Sequence, residues 1–270
     1  MKPDIIPAQR RNVILELLRQ KGVLSVNELS GATGVSHPTI RRDLDLLAKA
    51  GAVERSHGGA TLRSPPGTTF EPDHSVTAHM AREEKSLIAQ LAVERLKDQQ
   101  SVIFDSSSTV MEVAYLAADR GLNLTAVTND IRISEIFSTC SNIRLIVCGG
   151  TLRQASYTLV GEPGSSFLQQ LHVDVAIMGI HGLHGTSFSD TSLEVAYTKR
   201  YMVAAAQKVL VLMDSSKIGQ IAFFDAFDID ERFEIFTDRP LPSSMQHAVE
   251  TKGATITSGG ATSPESAGTQ

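Results

Sequence analysis

The chain has no apolar run of 18 residues, only two cysteines and no internal repeat. Without such a run there is no candidate membrane-spanning helix, and no apolar stretch follows the N-terminal charges to make a secretory signal. The expected compartment is therefore the cytoplasm, with no membrane partner. Two cysteines cannot build a disulfide framework. Cys148 closes a strand-like apolar run and Cys140 a helix-like one, so both read as buried thiols. Metal-ligand spacing is also missing: His172, His181 and His184 lie close together, but no ligand motif or carboxylate pattern completes them. Neither a metal nor a cofactor is expected.

What is present suggests two domains in 270 residues, with 41% hydrophobic residues to fill their cores. Charge divides them. Residues 1–63 hold ten lysines and arginines against six aspartates and glutamates, a charge of +4, which leaves −9 for residues 64–270 within a total of −5. A basic head on an acidic body places a phosphate-binding surface in the head.

The head shows its architecture in SHPTIRRDLDLLAKAGAVERSHGGATL, from Ser36 to Leu62. Ser36 is placed as an N-cap, and Pro38 sits just inside the helix start, where its missing N–H is not needed. Ile40, Leu44 and Leu47 form the buried stripe of an amphipathic helix. His37, Thr39, Arg41 and Arg42 cluster on the opposite face at the N-terminal end, the end a helix-turn-helix presents to base edges. Gly51 ends the helix, and two short strands about Gly58-Gly59 make a wing bearing Arg55 and His57. Upstream, Arg10–Lys21 reads as a helix ended by Gly22. Ser25 and Glu28 form a capping box for a second helix, and Gly34 makes the turn into the third. The order helix, helix, tight turn, helix, wing is a winged helix-turn-helix over residues 1–63. Ser36, His37, Thr39, Arg41, Arg42, Arg55, His57 and Gly58 are its expected contacts to a double-stranded DNA operator.

The run TIRRDLDLLAKAGAVERSHGGATL closely resembles the DNA-binding domain of the DeoR family of bacterial transcription regulators. Its signature is IRRDL, a glycine, then R-x-HGGA. The resemblance extends through about 250 residues and implies a regulator.

Residues 64–75 include SPPGTTFEPD, with three prolines and a glycine, and read as a semi-stiff linker. Residues 258–270, SGGATSPESAGTQ, are small and polar and read as a disordered tail. Between them, helical patterns alternate with β-rich runs. A helix over Arg82–Leu96 is expected to bury Leu87, Leu91 and Ala92. Strands are expected at Ser101–Phe104, Leu122–Val127, Ile143–Val147, Val173–Met178, Val209–Met213, Glu234–Phe236 and Thr255–Ile256. Further helices are expected near Val110–Ala118, Ile131–Phe137, Phe167–Leu171, Leu193–Ala206 and Met245–Thr251. This is an α/β domain with a mainly parallel sheet over residues 76–257. Ligands bind beyond the carboxyl ends of such strands.

Polar loops follow five of those strands. Asp105-Ser106-Ser107-Ser108-Thr109 leads into a helix N-terminus, a natural phosphate cradle. Thr128-Asn129-Asp130, Gly149-Gly150, the Gly179–Gly185 segment with His181 and His184, and Asp214-Ser215-Ser216-Lys217 follow the others. Lys217 is suited to an anion. These loops also resemble the effector domain of the same family: D-S-S-S-T for its D-S-G-T-T, TN, GGTLR, L-E-x-A-x-x-K-R at Leu193–Arg200, and D-S-S-K. That domain resembles ribose-5-phosphate isomerase-like folds, and the resemblance implies a sensor of a phosphorylated sugar-type effector. By this carry-over Asp105, Ser106, Ser108, Thr109, Thr128, Asn129, Gly150, Glu194, Lys199 and Lys217 are the effector-site candidates.

Two positions depart from the pattern. Ser107 replaces a glycine, which is costly if that position needs a positive φ. His181 stands where many members have an acidic residue. An isomerase-like enzyme with an attached DNA module is the competing reading, with Glu194 and Lys217 as base and cation. A regulator without catalytic residues is favoured, because a sensor must bind its signal without consuming it. The resemblance implies repression of a carbohydrate or polyol catabolic operon, released by the effector. Specific binding generally needs two half-sites, so a homodimer or homotetramer is expected, joined through the α/β body.

Overall fold

The structure is a computed structural model that describes residues 7–21, 23–56, 58–62, 68–69, 81–153 and 156–259. His57, Gly22, most of the 64–75 linker and the tail from residue 260 lie outside the described residues. The chain divides into two compact units, residues 1–82 and 83–270.

The first unit holds helices α1 (Pro7–Lys21), α2 (Val26–Thr33) and α3 (His37–Lys49) and strands β1 (Val23–Ser25), β2 (Val53–Ser56) and β3 (Gly59–Leu62). Ser25 caps α2 with the complete capping box: its Oγ accepts from Glu28 N, and the Glu28 carboxylate accepts from Ser25 N. Gly34 follows α2 in the left-handed conformation at φ 72°, and Gly51 follows α3 likewise. The wing has a third strand that the sequence did not reveal, in the order β1-β3-β2. Ile14, Leu18, Leu29, Ile40, Leu44 and Leu47 meet in one buried core with Ala60 of the wing.

The second unit is a seven-stranded parallel sheet in the order β15-β14-β12-β9-β4-β5-β6. Its strands are β4 (Ser101–Phe104), β5 (Leu124–Thr128), β6 (Ile143–Val147), β9 (Val173–Gly179), β12 (Ala206–Leu212), β14 (Phe233–Thr237) and β15 (Thr255–Ser258). Successive strand residues point to opposite faces, and both faces are covered. Val102, Phe104, Ala126, Ile177 and Leu210 pack on α4 (Arg82–Val93), α5 (Ser108–Asp119) and α6 (Ile131–Ser138). Ile103, Val127, Ala176, Met178 and Val211 face the other core, shared with α7 (Gly164–Leu168), α8 (Leu193–Ala205) and α9 (Ser243–Thr251).

Several details differ from the sequence expectations. Helix α4 stops at Val93. Leu87 is exposed, Leu91 is only partly buried, and Ile88, Ala89, Ala92 and Val93 form the buried face. Ser258 is not in a tail: it ends β15, paired with Thr237. Two small antiparallel sheets were not expected. One is the hairpin β7 (Thr151–Leu152) with β8 (Leu159–Val160). The other joins β10 (Gly182–His184), β11 (Ser187–Asp190) and β13 (Phe224–Asp228).

Candidate functional site

In the first unit, α3 presents the face that the sequence suggested. Ile40 and Leu44 are fully buried, whereas Ser36, His37, Arg41 and Arg42 are exposed and Thr39 is half-buried. Neither Arg41 nor Arg42 makes a hydrogen bond or ion pair among the described residues, so both guanidinium groups are available. Ser36 has an extended N-cap backbone, but its hydroxyl pairs with Thr39 Oγ1 at 3.0 Å instead of accepting from a backbone N–H. The first amides of α3 therefore keep their donors at the exposed end. Arg55 on β2 stands 3.4 Å from Asp45 in an exposed ion pair, and Gly58 adopts φ 88° at the wing tip.

One functional support escaped the sequence reading. Asp43 lies on the buried side of α3, where Arg10 Nε donates to its Oδ2 at 2.5 Å. This ion pair ties the recognition helix to α1.

In the second unit the loops after the strands converge as parallel strands require. Phe104 pairs with Thr128, so Asp105 and Asn129 leave the sheet side by side. The Thr128 hydroxyl donates to Phe104 O at 2.7 Å and accepts from Asp130 N at 3.1 Å, bolting the two ends together. Asn129 Nδ2 donates to Leu159 O at 3.0 Å, which seats the β7–β8 hairpin against β5. Asp130 caps α6 by accepting from Arg132 N and Ile133 N; burial pushes its carboxyl up, and Asp105 adds to that. Ser107 caps α5 by accepting from Thr109 N, with φ −151°. That is extended backbone, so serine carries no strain there. A Cβ on Gly179 would overlap the Ser107 side chain, so the glycine makes room for it.

Lys199 is buried and donates to Asp105 Oδ2 and, at 2.8 Å, to Gly179 O. Gly179 N in turn donates to Asp105 Oδ2 at 3.0 Å. Asp105 Oδ1, Ser106 Oγ and Asn129 Oδ1 are buried and have no hydrogen-bond partner among the described residues.

The other candidates stand apart from this group. Gly150, at φ 141°, lies where a Cβ would come 2.6 Å from Val160 O, so it serves the hairpin. Glu194 is exposed at the start of α8. Its own backbone N–H, the Ser192 hydroxyl at 2.8 Å and the Arg153 charge hold its carboxyl below the usual range. Lys217 lies in a 3-10 turn (Ser215–Lys217) after β12, two strands from β4, or about 10 Å along the sheet edge. Burial alone would raise the Asp214 carboxyl; the Lys217 charge, the Ser216 hydroxyl and the Lys85 charge outweigh it and hold Asp214 low.

Sequence reasoning missed Asp190, whose Oδ2 faces His181 Nδ1 at 3.1 Å. It also missed buried Lys85 and the stacking of Arg132 on Tyr157, 3.8 Å from the ring centroid. An isolated acidic residue in SFSD carries no pattern from which its partner can be read.

A winged helix-turn-helix unit and a parallel-sheet α/β unit with polar loops at its strand ends define a ligand-sensing transcriptional regulator. Residues 10–65 match the DeoR-like helix-turn-helix domain and residues 80–239 the DeoR C terminal sensor domain. The chain belongs to the DeoR family of transcriptional regulators. It is 32% identical to the glycerol-3-phosphate regulon repressor of Escherichia coli K12, covering 89% of this chain and 94% of that protein. It is 35% identical to the transcriptional regulator GlpR of Haloferax volcanii, over 94% and 99%. It is 31% identical to the repressor GlcR of Bacillus subtilis, over 86% and 88%. These relatives, matched over most of their length, are named as transcriptional regulators, and this chain is a transcriptional regulator of the same family. Among solved structures, ribose 5-phosphate isomerase A of Methanocaldococcus jannaschii aligns at 16% identity over 51% of this chain and 54% of that one, with a TM-score of 0.38. The eIF2B delta subunit of Chaetomium thermophilum aligns at 13% identity over 79% and 66%, with a TM-score of 0.42. Among the described residues, no helix is long and apolar enough to cross a membrane.

Proposed function

We propose that this protein represses a carbohydrate or polyol catabolic operon and leaves its operator when a phosphorylated sugar-type effector binds over the carboxyl ends of β4 and β5. The observation that carries this reading is the set of three buried, unpartnered polar atoms, Asp105 Oδ1, Ser106 Oγ and Asn129 Oδ1, on adjacent strand ends. A buried polar atom without a partner costs about 1–3 kcal/mol. Two of the three are pure acceptors, so the natural occupant brings hydroxyl donors. The N-terminus of α5, with the Ser108 N–H, the Ser108 and Thr109 hydroxyls and the positive dipole end, supplies donors for a phosphate. Lys217 serves as a more distant cation.

The relatives named as the glycerol-3-phosphate regulon repressor and as the transcriptional repressor GlcR support the direction of control. Residues 1–63 act as the DNA module and residues 76–257 as the sensor and the assembly domain of a homodimer or homotetramer. The test is an operator titration with the full chain, with and without glycerol 3-phosphate, ribose 5-phosphate and fructose 6-phosphate. Release by at least one supports the reading. Saturable binding with turnover would restore the isomerase alternative.

A further inference from the structure

His181 has no part in the effector site described above, yet it stands at one end of a chain of charges that reaches that site. Its Nδ1 lies 3.1 Å from Oδ2 of Asp190. The same Asp190 oxygen lies 3.8 Å from Nζ of Lys199. Lys199 in turn holds Asp105 Oδ2, while Asp105 Oδ1 is buried and unpartnered. These groups come from the loop after β9, from β11, from α8 and from the loop after β4, so only the folded domain assembles them. The His181 side chain is 28% exposed and the Asp190 side chain 1%. A proton from solvent therefore reaches one end of the chain, and a ligand meets the other.

We propose that His181 is a positioning residue for the effector: its protonation, acting through Asp190 and Lys199, sets the field at the free oxygen of Asp105 and strengthens binding of an anionic ligand at low pH. The inference rests on the effector reading above. Its sign follows from counting charges. With a neutral imidazole, Asp105, Asp190 and Lys199 sum to −1; with an imidazolium the group is neutral. In a buried setting that difference is felt over several ångströms. It also changes the pull on Lys199. Neutral His181 leaves Asp190 to draw the ammonium away from Asp105, and charged His181 satisfies Asp190 and leaves Lys199 to Asp105.

The Asp190 carboxyl supports this arrangement. Burial alone would raise it, but the charge and hydrogen bond of His181, then Lys199, hold it well below the usual range. The charged groups facing this chain include Asp190 from β11, Lys199 from α8 and Asp105 from the β4 loop, with Asp130 facing Asp105 from the end of β5.

The experiment compares wild type with His181→Gln and His181→Lys as full chains, by calorimetric titration of glycerol 3-phosphate, ribose 5-phosphate and fructose 6-phosphate at a series of pH values from about 6 to about 10, wide enough to pass through the titration of an imidazole beside a carboxylate. The readout is the ratio of wild-type to variant affinity, in which the ligand's own phosphate ionisation cancels. Wild type should exceed the Gln variant roughly three- to tenfold at the lowest pH and match it at the highest. The Lys variant, always charged, should lose that pH dependence while keeping the tighter binding. A merely structural histidine would shift the ratio equally at every pH, so a constant ratio overturns this inference alone. A wild type that binds none of the three probes overturns it together with the effector reading.

Discussion

Lys199 and Asp105, 94 residues apart in sequence, form a buried ion pair that fixes the orientation of the β4 loop. The lysine takes one carboxylate oxygen and the carbonyl of Gly179, and leaves the other carboxylate oxygen without a partner. Lys199 thus sets which Asp105 oxygen stays open at the end of β4.

Removing the lysine leaves the buried Asp105 carboxylate with the Gly179 N–H but without its cation, while Asp190 keeps His181. Lys199→Met should destabilise the second unit by about 3–5 kcal/mol, the usual cost of breaking a buried pair on one side. Urea denaturation followed by circular dichroism checks this. A midpoint within error of wild type would show that the pair contributes no net stability.

On the DNA side, Arg41 and Arg42 are exposed and without partners among the described residues. Arg41→Ala with Arg42→Ala should weaken operator binding by about 1–3 kcal/mol for each arginine that reads a base. If one of them meets phosphate instead, the salt dependence of binding falls by about one charge. Titrations at several salt concentrations separate the two. Wild-type operator affinity in the double variant would remove α3 as the recognition helix.

Asp43 offers a subtler test. Asp43→Asn weakens the tie of Arg10 to α3 while leaving the exposed DNA face unaltered. Operator affinity should fall severalfold although every group facing DNA is retained. Unchanged affinity would mean that packing of Ile40, Leu44 and Leu47 alone orients the helix.

Burial pushes the Cys148 thiol up to about 11. At pH 8 its thiolate is scarce and the side chain is covered, so iodoacetamide should label half-buried Cys140 first and Cys148 only on unfolding. Because the folded-state value is raised, the associated stability is complete below about pH 9 and disappears as pH rises toward about 11. Mass spectrometry of the labelled native protein is the check; rapid native labelling of Cys148 would place it at a surface.

The seven strands of the main sheet were legible in the sequence as β-rich runs: the inner strands are mostly buried, and the edge strands β6 and β15, though partly exposed, keep Ile143, Leu145, Ile146 and Ile256. The β10–β11–β13 sheet was not. GLH, SFSD and FDAFD are short and polar, and Ser189 finds its partner Asp225 far along the chain. Leu87 misled for a related reason: Leu87, Leu91 and Ala92 have helical spacing, but the core lies toward Ile88 and Ala89. The chemistry of the site shows the same limit. Asp105, Ser106 and Asn129 could be named because they lie in loops that follow strands and match the motifs of the family's effector domain. The partnership of His181 with Asp190 could not, since it depends on how β11 folds back on the loop after β9. Ser107 in place of a glycine raised a question of strain that only its extended φ answers.

Assembly has a direct check as well. Sedimentation at micromolar concentration, with and without operator DNA, should show a dimer or tetramer. A strict monomer in both would require one winged head to carry specific binding alone.

Control of DNA binding by an effector seated over Asp105, Ser106, Asn129 and the N-terminus of α5 is the central claim. It is tested most directly by titrating operator DNA with wild type and Thr109→Val, with and without the sugar phosphate that releases wild type. The variant should bind operator but need at least tenfold more effector for release, as expected for about 1.4 kcal/mol of weakened binding. Release of both proteins at the same effector concentration would contradict the claim.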